Sequence, residues 1–159
     1  MRKFLLLGAV AGLALAACER QAPDPLAEAR SACLEEGGEA ELVIESCGAL
    51  IDSGQLTVED RVLAYAARGD ATYEAGDVTE SLRDYNAALE IDSENMRAAK
   101  GRATILIESG QLDAAQPLVD RLIASGEHTA VAHYLDGEIA RQRSDAAAAM
   151  EAYGRAIEA

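Results

Sequence analysis

The sequence predicts an all-α solenoid of stacked antiparallel helix hairpins, and three observations predict it. Residues 62–95, 96–129 and 130–159 align without a gap at a period of 34. A fixed period between 20 and 50 residues marks a repeat architecture, in which each unit buries its apolar face only against its neighbours. The aligned units place small residues in columns: Gly69, Ala103 and Gly137 in one, Ser81, Ala115 and Ala149 in another. Half of the 159 residues are hydrophobic, yet only five Tyr and one Phe are aromatic, with no Trp. Alanine carries most of the apolar content, which suits closely packed helices better than sheets.

Taken in order, the chain starts with an address. Arg2 and Lys3 precede an apolar stretch over residues 4–15, too short to span a bilayer. Leu15-Ala16-Ala17-Cys18 resembles the lipobox of bacterial lipoproteins. The resemblance implies that residues 1–17 are a signal peptide and that Cys18 becomes the lipid-modified (palmitate-bearing) first mature residue. It implies a lipid-anchored protein of the cell envelope. Glu19 follows Cys18, where Asp commonly retains lipoproteins in the inner membrane. That favours outer-membrane sorting, facing the periplasm. Loss of the two cations moves the formal charge from −14 to −16 over residues 18–159. Residues 18–25 contain Pro23 and Pro25 and read as a short extended tether.

Residues 26–61 read as an irregular leading hairpin. A helix over 26–36 ends at Gly37-Gly38, its partner over 39–53 ends at Gly54, and a longer loop covers 55–60. Cys33 and Cys47 fall one on each helix. In an oxidising compartment the pair reads as a structural disulfide. Two buried free thiols or a redox pair are the alternatives, although the spacing is not Cys-x-x-Cys.

Each later unit reads as two helices. In the first these cover 62–75 and 79–91, with Gly76 at the left-handed C′ position and Thr79 as N-cap. In the second, Gly110-Gln111 separates the helices, Asp113 caps, and Pro117 falls in the first turn. In the third, Ser144-Asp145 makes the break. The small columns let paired helices approach closely, and Tyr85, Val119 and Tyr153 fill the space beside them. Helical spacing makes these tyrosines core rather than catalytic.

The run Arg68-Gly69-Asp70-Ala71-Thr72-Tyr73-Glu74-Ala75-Gly76-Asp77, continuing to Tyr85-Asn86-Ala87-Ala88-Leu89-Glu90-Ile91-Asp92, resembles the tetratricopeptide repeat. Arg68, Thr72, Ser93 and Glu127 depart from the family pattern. The resemblance implies that the first helix of each unit lines a concave groove for a peptide or helix. The matching positions are Leu63, Ala66, Asp70, Tyr73 and Glu74, then Arg97, Lys100, Thr104, Ile107 and Glu108, then Val131, Tyr134, Glu138, Arg141 and Gln142. Apolar anchors flanked by both charge signs suit an extended or helical protein segment. Asp70, Thr104 and Glu138 occupy the Asn column of the family's carboxylate clamp, so that clamp is not reproduced.

A net charge of −14 argues against nucleic-acid binding, which needs Lys and Arg to meet phosphates. No phosphate loop, dinucleotide fingerprint, nucleophile elbow or calcium loop is present. His128 and His133 lack the companions of a metal site. The sequence therefore calls for no enzyme, metal or cofactor. It reads as an envelope adaptor or scaffold for protein partners, with an architectural subunit of a homo-oligomer or fixed complex as the alternative. Met150, Tyr153 and Ile157 on the last helix read either as a contact for a second copy or partner, or as a tolerated Ala-rich end.

Overall fold

The computed structural model describes residues 26–35 and 37–159. The signal segment, Cys18 and the tether lie outside the described residues. Among the described residues there are eight α-helices. They are α1 (Ala27–Leu34), α2 (Ala40–Ser53), α3 (Val58–Glu74), α4 (Val78–Ile91), α5 (Met96–Glu108), α6 (Leu112–Ser125), α7 (Thr129–Gln142) and α8 (Ala146–Glu158). Each hairpin pairs an odd-numbered helix with the even-numbered one after it.

The neighbours reveal the curvature. The backbones of α1 and α3, of α3 and α5, and of α5 and α7 come within 8 Å of one another, whereas no two even-numbered helices do. The odd helices thus form the tighter, inner row, and the concave face is theirs. Three apolar clusters follow one another along the stack. One joins α1, α2 and α3 around Cys33, Cys47, Leu50 and Ala64. The next joins α3, α4 and α5 around Tyr85, Ala66 and Ala98. The third joins α5, α6 and α7 around Val119, Leu122 and Leu135.

Helix ends follow local chemistry, with four corrections. α3 starts at Val58, four residues before the expected repeat boundary, because Thr57 caps it by accepting the Asp60 N–H at 3.0 Å. The cap of α4 is Asp77, not Thr79: its side chain accepts the Glu80 N–H. Asp145 does the same for α8, and such a cap contributes about 1 kcal/mol. Gln111 holds the equivalent place before α6 without a side-chain cap, and Asp113 lies within the first turn instead. Pro117 consequently sits in the second turn of α6, not the first. The carbonyl it leaves unpaired is that of exposed Asp113, open to water. Gly76 takes the expected left-handed backbone, Gly110 adopts it too, and Ser144 does so at φ 64° in the third unit.

Cys33 and Cys47 are joined, with Cα atoms 4.9 Å apart and both residues buried. α1 has only eight residues, too few to persist as an isolated helix. The bond ties it to α2, and the Arg30 to Asp60 ion pair at 2.6 Å ties it to α3. Closing a loop of this length stabilises by about 3 kcal/mol. Reduction should lower the urea midpoint of the folded protein correspondingly, with two thiols appearing only after reductant is added.

Candidate functional site

The concave face is built from one stripe on each inner helix. On α3 the stripe is Leu63, Ala67, Asp70 and Glu74, and on α5 it is Arg97, Lys100 and Thr104. The spacing of three and four residues puts each set on one helix face. Between these stripes and the end of α1 lies an open depression of about 450 Å3, walled on its far side by Cys33, Glu35, Gly38 and Val43.

Two residues expected in the groove are buried in the core instead. Ala66 is fully buried and packs with Val62, Tyr85 and Ala98. It lies one step, about 100° of helix, away from Ala67, and so turns toward α4 and α5 rather than the groove. Ile107 is likewise buried, in the core shared by α5, α6 and α7. Leu63, Asp70, Tyr73, Arg97, Lys100 and Thr104 do stand on the groove. Val131 and Tyr134 line a separate depression between α7 and α8 instead, and Glu138 and Arg141 pair with each other on α7.

Many groove side chains are engaged with each other. Asp70 accepts from the Tyr85 hydroxyl and from Arg97 Nε, each at 2.6 Å, which links α3, α4 and α5. The Tyr73 hydroxyl donates to Glu108 across the same gap. Gln142 Nε2 donates to the Ile107 carbonyl at 3.1 Å, linking α7 to α5. These contacts fix the curvature of the inner row. Lys100 and Glu74 have no hydrogen bond or ion pair to their side chains among the described residues, and Leu63 is 43% exposed. A cation, an anion and an apolar surface are thus left for a ligand on a rigid frame.

Burial and the bond to Asp70 hold the Tyr85 hydroxyl well above its ordinary value of 10. The bond to Glu108, with partial burial, pushes Tyr73 up to about 12. Both shifts favour the neutral phenol in the fold. Their contribution is complete below pH 10 and is lost as pH rises from 10 through the native values. An alkaline titration of the native protein should show these phenols ionising late, and stability should fall as pH climbs above 10. Ionisation of all five tyrosines at the unfolded value, with no loss of stability, would contradict this.

Two arrangements escaped the sequence. Gly101 on α5 faces the Tyr85 ring from the side opposite Gly69. A Cβ at 101 would stand 2.1 Å from Tyr85 Cζ, and one at 69 would stand 2.7 Å from Cε1. Arg68, a departure from the repeat pattern, reaches into α4. Its Nε and Nη2 donate to the two carboxylate oxygens of buried Asp84 at 2.8 and 2.7 Å. That bond, more than the burial opposing it, keeps the guanidinium pKa raised. Among the described residues no three His, Cys, Asp or Glu side chains converge as a metal site would require. No described helix is long and apolar enough to cross a membrane.

The tetratricopeptide repeat family profile matches residues 72–137. A TPR repeat-containing protein of Methanocaldococcus jannaschii is 29% identical over 68 residues, which is 43% of this chain and 12% of that protein. The chain thus spans about one eighth of the length of that relative. Among solved structures, the MamA fragment from residue 41 to the end of Desulfovibrio magneticus RS-1 superposes with a TM-score of 0.67 at 18% identity. It covers 84% of this chain and 72% of the other. A MamA RS-1 double mutant gives 0.66 over the same shares, also at 18% identity. With eight helices and no strand among the described residues, the fold is an all-α, tetratricopeptide-like solenoid.

Proposed function

We propose that this protein is a lipid-anchored adaptor of the bacterial envelope that holds a segment of a partner protein in its concave groove. The tetratricopeptide-like fold supports a protein-binding scaffold. The observation that carries the reading is the division of labour on the inner row. Asp70, Arg97, Tyr73 and Glu108 are spent on holding α3 and α5 together, while Leu63, Glu74 and Lys100 face the groove without partners. A preformed groove with unpaired groups of both signs selects a complementary chain without reorganising. The anchor rests on the lipobox-like Leu15-Ala16-Ala17-Cys18, and the outer-membrane, periplasm-facing location on Glu19.

Crosslinking in the native envelope tests the reading. A partner captured by the native protein and lost from the Leu63→Asp, Lys100→Glu variant establishes a groove adaptor. Both positions are free of internal side-chain bonds, so the fold survives the change. Recovery of the protein only with itself, and a mass rising with concentration, would instead favour the architectural subunit. Separately, Cys18→Ser should move the protein to the soluble fraction; unchanged membrane retention would remove the anchor from the proposal.

A further inference from the structure

The repeat junctions show how this solenoid closes one unit onto the next, and the outer face of α7 and α8 presents the same fitting uncovered. At the first junction the Tyr85 ring lies between Gly69 of its own unit and Gly101 of α5. Asp70 binds the Tyr85 hydroxyl and receives Arg97 of α5. Arg97 and Gly101 are four residues apart, on one face of the incoming helix. At the second junction the volumes trade places. Ala103, Val119 and Leu135 hold the positions of Gly69, Tyr85 and Gly101, and all three share one core.

On α7 and α8 the first set returns. The Tyr153 ring packs on Gly137, where a Cβ would stand 2.5 Å from Cε1. The Tyr153 hydroxyl donates to Glu138, which stands at the Asp70 position. No helix among the described residues supplies the counterparts of Gly101 and Arg97. An apolar depression of about 400 Å3 lies there instead, with Val131, Tyr134, Tyr153 and Ile157 on its walls. Met150 is 76% exposed and Ile157 86%, three and four residues either side of Tyr153 on one face of α8. Glu138 is met by Arg141 of its own helix, a surface pair that costs little to exchange.

We propose that this face docks an amphipathic helix of a partner polypeptide, one that sets a glycine or alanine on Tyr153 and an arginine or lysine, one turn earlier, on Glu138. The internal pairing dictates that chemistry. A tyrosine seated on a glycine leaves room only for a second small residue, as α5 provides, whereas a valine at that place accepts leucine. Apolar residues flanking the small one cover Met150 and Ile157. The site lies on the outer face of α7 and α8, away from the groove, and does not depend on the groove having a ligand.

The probe is a labelled peptide of residues 95–110, the α5 helix offered in trans to the full chain. The expected result is saturable binding, with amide-exchange protection confined to α7 and α8. Gly101→Leu in the peptide should abolish it. Arg97→Glu in the peptide should weaken it about tenfold, the equivalent of one charge pair at 1.4 kcal/mol per decade. Glu138→Arg in the protein should restore binding of that altered peptide. Ile157→Glu, at an exposed position that does not threaten the fold, should remove binding even if Tyr153→Ala proves unstable. Absence of saturable binding, protection elsewhere on the chain, indifference to Gly101→Leu, or competition by a second copy of the protein seated on the same face would each overturn the proposal.

Discussion

Gly101→Leu is expected to be among the most damaging single substitutions, lowering stability by about 3 kcal/mol or more, the upper range for overpacking a core. The Tyr85 ring cannot retreat from the added side chain, because the backbone at Gly69 stands against its other edge. Tyr85→Ala empties the same space and should cost about 3–5 kcal/mol, the usual loss for a large buried aromatic. The informative variant combines Gly69→Ala, Tyr85→Val and Gly101→Leu. Those are the residues of the next unit, Ala103, Val119 and Leu135, in the same relative places. Urea unfolding should show the triple variant recovering most of what Gly101→Leu alone loses. A triple variant no more stable than the single one would show that volume exchange does not govern the junction.

Arg68→Ala is the second large effect. It leaves the Asp84 carboxylate, 2% exposed, without either of its donors. Removing one member of a buried pair typically costs about 3–5 kcal/mol, and the partly exposed Arg68 places this pair toward the lower figure. Arg68→Met with Asp84→Leu removes both charges at similar volume and should restore stability to near the native level. A double-mutant cycle in urea measures the coupling. Additive losses would mean that the pair is not what holds α3 against α4.

The contrast between these sites and the rest explains what the sequence disclosed. Helices, breaks and the stack were legible because they recur: Gly76, Gly110 and Ser144 mark each hairpin, and Tyr85, Val119 and Tyr153 each second helix. Gly101, the second glycine against Tyr85, was not, since its column reads Ala67, Gly101, Leu135 and has no common character. Compensation there runs between columns, so aligning units one above another hides it. The ion pair is hidden for the same reason. Arg68 aligns with Arg102 and Asp136, but Asp84 aligns with Leu118 and Ala152, so the pairing occurs once and leaves no period. In the candidate groove, Ala66 and Ile107 were misplaced by a single helical step, a difference that only the packing of α4, α5 and α7 decides. Leu63 and Lys100 needed no such arbitration, as nothing competes for them.

The bond between Cys33 and Cys47 acquires another role when the chain is pulled. Any tension entering from the N-terminal side reaches α1 first and crosses to α2 through covalent sulfur, bypassing residues 34–46. Thirteen residues of slack, roughly 45 Å when extended, are withheld from the load. In a single-molecule stretch the oxidised protein should therefore lengthen by that much less than the reduced one. What a tug from that side can still peel apart is residues 27–33 of α1, ahead of the bond, and the noncovalent junctions beyond Cys47, whereas the turn between α1 and α2 stays closed.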